Sequence, residues 1–334
     1  MRKKWLLLIP VILIVVYWVG PAPASPRYNK EMPAVPAGPA QLEAYIGNQE
    51  AQHRLKRDNE ARIVWEDTMK RPTDYSIVYL HGFSASQGEG APLHTDIARE
   101  FGCNLYLSRL AEHGIDTVDA MINLTADELW ESGKEALAIG QQIGKKVILM
   151  GTSTGATLAL QLAAVYPDRV AALILMSPNI EINDPNAWVL HNHWGLQIAR
   201  MVKSSKYIED TADRGPLYDR YWYRKYRLES AVALGELLAT TMDKETFSRV
   251  TQPVGMYYFY KDEAHQDSIV RVSAMLRMYD QLGTPSAMKV KQAFPNAGTH
   301  VICSPIRSQD AEGVERAVEA FMKEVLHVNP VRGK

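Results

Sequence analysis

The chain has 334 residues, enough to bury a large core as one α/β domain with an insertion. Its 37 basic and 38 acidic residues leave a net charge of −1 and are mixed along the sequence, so no basic stripe points to nucleic acid. Cys103 and Cys303 are the only cysteines, too few for a zinc site and enough for one disulfide at most.

Arg2, Lys3 and Lys4 precede an unbroken apolar run over residues 5–19. As a helix that run spans about 22 Å, short of the ~30 Å hydrocarbon core of a bilayer. The length suits the apolar region of a signal peptide, and Ala22-Pro23-Ala24 offers a small-x-small cleavage site. Trp5, Tyr17 and Trp18 flank the run as interfacial aromatics would, and a few more residues extend it to a tilted span. Either reading exports the rest of the chain, and the retained membrane anchor is the preferred expectation. Residues 25–40 carry Pro26, Pro33, Pro36 and Pro39 among small residues and read as an extended linker without a core of its own.

Residues 41–56 have helical spacing, with Leu42, Tyr45, Ile46 and Ala51 on one face, and residues 63–65 suit a short strand. Residues 75–80 form a strong strand ending in His81-Gly82-Phe83-Ser84. Residues 91–101 read as a helix, 104–107 as a strand, and 126–143 as an amphipathic helix with Thr125 as N-cap. The apolar run 147–150, between Gly144 and Gly151, is patterned like a buried strand of a parallel sheet. A helical pattern starts at Ala156 and stops at Pro167. Between them lies Gly151-Thr152-Ser153-Thr154-Gly155, a G-x-S-x-G turn that presents a serine hydroxyl at its tip. Strand 172–176 follows. Strands alternating with helices in this way imply a mostly parallel sheet with right-handed crossovers.

Residues 181–250 break the rhythm and crowd together Trp188, Trp194, Tyr207, Tyr218, Tyr221, Trp222, Tyr223 and Tyr226. The aromatics of such an insertion are expected to line an apolar substrate wall or to form its own core; Trp222 and Tyr223 are the named wall candidates. His191 and His193 have no carboxylates beside them and read as surface residues rather than metal ligands. Residues 254–260 form the next strand, followed by Gln266-Asp267-Ser268-Ile269-Val270, a helix over 271–282 and a strand over 288–294. Gly298-Thr299-His300-Val301 and a closing helix over 313–325 complete the pattern.

An H-G-F turn after one strand, a G-x-S-x-G turn after a later one, then acid and histidine turns in that order, resemble the α/β-hydrolase fold. The likeness is to its esterase and monoacylglycerol-lipase (serine-aminopeptidase-like) branch, runs over residues 75–325, implies that residues 181–250 are a cap, and is weakest there. It implies Ser153 as nucleophile, His300 as base, and Phe83 and Thr154 as oxyanion N–H donors. The acid is the point of departure, because Tyr260-Lys261-Asp262-Glu263-Ala264-His265-Gln266-Asp267 lacks the glycine usual there and offers three carboxylates. Asp267 is the preferred acid for its following Ser268-Ile269-Val270; Asp262, Glu263 and Glu181 are the alternatives. The expected activity is hydrolysis of a small carboxylic ester through an acyl-enzyme, without metal or cofactor. A peptidase, a thioesterase or an acyltransferase on the same fold, or a silent binding protein, is the alternative.

Overall fold

The structure, a computed structural model, describes residues 2–331. The side chains of residues 2–8, including the Trp5 expected at an interface, lie outside the described residues. Helix α1 (Arg2–Val19) contains Pro10. Among the described residues no helix is long and apolar enough to cross a membrane. The expected membrane anchor is therefore not supported: α1 has 18 residues, about 27 Å of helix, and its first turn is taken up by Arg2, Lys3 and Lys4. The residues beyond it do not lengthen the helix but turn against the insertion, where Trp194 N–H donates to the Pro21 carbonyl at 2.7 Å and His193 Nδ1 bonds the Gly20 carbonyl at 2.9 Å.

The proline-rich stretch that follows forms no helix or strand before Pro39, but it is not a bare linker. Tyr28, Met32 and Val35 pack against the main core. Backbone N–H groups of Arg27 and Tyr28 donate to the Asp127 carboxylate, and the Asn29 and Glu31 carbonyls accept from Trp130 Nε1 and Lys134 Nζ at 2.7 Å each. Proline content describes only the local chain. The partners that pin this strap sit about a hundred residues away.

Helix α2 (Pro39–Glu50) leads to strand β1 (Arg62–Val64), β2 (Thr73–Leu80), α3 (Leu93–Glu100), β3 (Asn104–Leu107), α4 (Ala126–Ile143), β4 (Gly144–Thr152), α5 (Thr154–Val165) and β5 (Ala172–Met176). Thr125 and Glu128 cap α4 reciprocally, each side chain accepting the other's backbone N–H. The insertion then contributes α6 (Gly195–Lys203), a hairpin of β6 (Tyr207–Glu209) and β7 (Lys225–Arg227), and helices α7 (Pro216–Tyr221), α8 (Leu228–Thr241) and α9 (Lys244–Arg249). The chain returns through β8 (Val254–Tyr258), a small hairpin of β9 (Tyr260–Asp262) and β10 (His265–Gln266), α10 (Val272–Gln281), β11 (Lys289–Ala293) and α11 (Ala311–Ala320).

Seven strands form one sheet in the order β1-β3-β2-β4-β5-β8-β11. Only β1 runs antiparallel to its neighbour; every other pair is parallel. Helices cover both faces, so the central strands are buried on both sides and β4 and β5 read as continuous apolar runs. Two apolar cores result, one on each face: α4, α5 and α10 close over Val78, Leu80, Leu149 and Leu175, and α3 and α11 close over Ile77, Tyr79, Ile148 and Ile174. Cys103 and Cys303 are both buried and unpaired.

Candidate active site

The turn at Ser153 is strained for a physical reason. β4 ends at Thr152 and α5 begins at Thr154, leaving one residue to reverse the chain. Ser153 therefore adopts φ 52°, ψ −115°, a conformation costly for a side-chain-bearing residue. Its N–H still continues the sheet by donating to the Met176 carbonyl at 2.9 Å. The flanking glycines are required by packing. A Cβ on Gly155 would stand 1.9 Å from the Leu80 carbonyl oxygen, and one on Gly151 would stand 2.5 Å from the Ala156 nitrogen. The hydroxyl of Ser153 is thus carried on rigid backbone at the carboxyl edge of the sheet.

His300 lies in the loop after β11, and Ser177 Oγ donates to its carbonyl at 2.7 Å. Its Nδ1 lies 2.6 Å from Asp267 Oδ2. Asp267 is fully buried, and its other oxygen accepts the backbone N–H groups of Ile269 (2.9 Å) and Val270 (3.1 Å). Both carboxylate oxygens are therefore committed, one to the backbone and one to the imidazole. Burial pulls the His300 imidazole toward the neutral form; the charge of Asp267, their hydrogen bond and the charge of Glu89 outweigh it, and the net result is a raised pKa.

The other carboxylates are engaged elsewhere. Asp262 is exposed and closes its own hairpin turn, bonding His265 Nδ1 at 2.8 Å and the N–H groups of Ala264 and His265. Glu263 bonds Tyr260 and Gln266. Glu181 pairs with Arg271 and Arg277. The structure brings Asp267 alone of these four to His300.

Phe83 sits in the turn after β2, and neither its N–H nor that of Thr154 donates to another described residue. The ring of His81 does not enter the site: it is buried and takes the Leu110 N–H at 3.0 Å. Ser153, His300 and Phe83 line one cavity of about 1100 Å³, with the insertion forming its far wall. Trp222 and Tyr223 are both in that wall and both buried. Trp222 stacks on Tyr218 with centroids 4.8 Å apart. The Tyr223 hydroxyl is already committed, accepting the Ile115 N–H and donating to the Ile115 carbonyl. It presents only its ring.

Two residues escaped the sequence reading. Glu89, in a 3-10 turn over Gln87–Gly90, lines the cavity as a buried carboxylate. Asn179, after β5, also lines it, with a buried Oδ1 that has no partner among the described residues. The only sequence signal for either was a polar residue close behind an expected strand end.

Residues 134–297 match the family model described as serine aminopeptidase, S33. Among solved structures, one of the metagenome-derived lipolytic enzymes LipS and LipT aligns with a TM-score of 0.63 at 17% identity, over 81% of this chain and 100% of its own. The monoacylglycerol lipase of Paleococcus ferrophilus aligns with a TM-score of 0.59 at 15% identity, over 79% of this chain and 98% of its own. A thermophilic esterase of Thermogutta terrifontis aligns with a TM-score of 0.53 at 18% identity, over 81% and 98%. No match was found among curated proteins.

Proposed function

We propose that this chain, an α/β-hydrolase similar to esterases and monoacylglycerol lipases, cleaves carboxylic esters through an acyl-enzyme on Ser153. The observation that carries the reading is the 2.6 Å contact of His300 Nδ1 with the buried Asp267, in the loops that border the cavity of Ser153. A serine hydroxyl is a poor nucleophile at neutral pH and needs a base beside it. His300 removes the Ser153 proton as the hydroxyl attacks the ester carbonyl, then returns it to the departing alkoxide. Asp267 holds the ring so that its free nitrogen is the basic one, and steadies the imidazolium. The N–H groups of Phe83 and Thr154 receive the oxyanion, each such donor contributing about 3 kcal/mol in comparable sites. Water, activated by the same histidine, then releases the acid.

Residues 181–250 act as a cap, and Trp222 and Tyr223 give it an apolar face toward the acyl chain. Residues 1–24 act as an export signal removed near Ala24. The contacts that pin the strap begin at Arg27, so such cleavage leaves them in place. The terminal mass of the protein recovered outside the cytoplasm tests this, with full-length cytoplasmic protein as the refuting result.

The test of the reaction is labelling by a fluorophosphonate probe together with a panel of p-nitrophenyl esters of graded chain length. The match to serine aminopeptidase, S33 puts aminoacyl amides in the same panel. Ser153→Ala is expected to lose labelling and turnover while remaining folded. Turnover within a few-fold of the parent would refute the mechanism.

A further inference from the structure

The mechanism above makes no use of Glu89, yet its carboxyl group is built into the site. The 3-10 turn that carries it is wedged between two aromatic rings. A Cβ on Gly88 would stand 2.4 Å from the Tyr221 ring and one on Gly90 2.4 Å from the Tyr79 ring, so both rings press directly on bare backbone. The carboxyl group is then laid against Gly82. Its Oε2 accepts the Gly82 N–H at 2.6 Å, and a Cβ at Gly82 would stand 2.8 and 2.9 Å from the two carboxylate oxygens. A side chain at Gly82 would therefore displace the Glu89 carboxylate, and the next residue in that turn is Phe83, whose N–H the proposed mechanism assigns to the oxyanion. Glu89 is 2% exposed and lines the same cavity as His300, where its negative charge favours the protonated ring.

We propose that Glu89 is a positioning residue for the reaction: it fastens the oxyanion turn through Gly82 and adds a second carboxylate, beyond Asp267, to support the imidazolium of His300. This rests on the ester-hydrolase reading only for its effect on turnover. Its electrostatic part holds for the folded protein whatever the substrate.

The groups packed around Glu89 leave few that titrate near neutrality. Tyr79 from β2 is held well above the ordinary phenol range by burial, and Cys303, whose thiol faces the Glu89 carbonyl, is pushed up to about 12 by burial. His94 from α3 is pushed down to about 4, again by burial, so it is neutral. Tyr218 from the cap is raised and uncharged, and Arg307, stacked on it at 5.4 Å, is always charged. Glu89 itself is pushed up to about 7 by burial, against the pull of the Gly82 N–H and of His300. Unlike Tyr79, Cys303, His94 and Tyr218 around it, Glu89 is thus poised to change charge near neutrality.

Glu89→Gln keeps an acceptor for the Gly82 N–H and removes the charge; Glu89→Ala removes both. NMR titration of the His300 ring is expected to show its midpoint moving down by roughly 1 pH unit in Glu89→Gln, the size of effect a nearby carboxylate exerts. With esters, the acid limb of kcat/KM should move down with it. The kcat should fall roughly tenfold with KM within about twofold, since the support lies in the transition state. Glu89→Ala should lose roughly a further tenfold from kcat, consistent with a misplaced oxyanion donor. An unchanged His300 midpoint in Glu89→Gln overturns the proposal, as does a parental kcat in both variants. A His300 midpoint that moves in a protein that turns over no ester supports the electrostatic role and refutes the ester reading instead.

Discussion

Replacing Asp267 by asparagine tests the site at its most determinate point. The Asp267 Oδ1 accepts two backbone N–H groups, from Ile269 and Val270. An asparagine there must turn its carbonyl oxygen toward those donors, because its NH2 group would meet them head on. The NH2 then faces His300 Nδ1 at the position of the present 2.6 Å contact. It can only donate, so Nδ1 becomes the acceptor and the ring proton moves to Nε2, the nitrogen that must take the Ser153 proton. The shape of the site is kept and the base is disabled. Inverting the tautomer in this way costs about 10⁴ in kcat in a well-studied triad, equivalent to roughly 5 kcal/mol of transition-state stabilisation. The assay is the kcat of a p-nitrophenyl ester for Asp267→Asn and, in parallel, for Asp262→Asn, with circular dichroism to confirm folding. Asp262 is exposed and serves its own hairpin turn, so its variant should stay within a few-fold of the parent. Asp267→Asn within tenfold of the parent, or an equal collapse in Asp262→Asn, would refute the assignment.

The pH profile follows from the raised pKa of His300. The base must be neutral, so kcat/KM should rise with pH through a midpoint above the ordinary ~6.5 of histidine; a profile flat between pH 5 and 8 would contradict it. Gly155→Ala places a methyl 1.9 Å from backbone oxygen that cannot swing away, and should destabilise by about 3 kcal/mol or more or abolish soluble expression; thermal melting reads this, and a parental Tm would contradict it. Trp222→Ala should lower kcat/KM for medium-chain esters roughly tenfold more than for acetate if the ring bears on the acyl chain. An equal loss on both would mean that Trp222 serves only to pack on Tyr218.

What the sequence determined was local. The G-x-S-x-G turn, the H-G-F turn and the alternation of apolar strands with helical patterns are short-range features. The strands at Asn104–Leu107 and Ala172–Met176 and the helix at Ala126–Ile143 stand where the pattern puts them. How those strands would be ordered was not legible, because the arrangement β1-β3-β2-β4-β5-β8-β11 is set by pairing between distant segments. For the acid, the sequence offered only a preference for Asp267, from the Ser268-Ile269-Val270 that follows it. What the tertiary structure adds is the approach of a loop 33 residues further on, which brings His300 to Asp267 and not to Asp262 or Glu263. The same applies to the strap over residues 27–31, which composition described as a linker and which Asp127, Trp130 and Lys134 pin to the core. Glu89 was invisible for that reason as well. Its role depends on Gly82 and His300 meeting it in space, and a contact between segments far apart in the chain leaves no periodic or spacing signature in a single sequence.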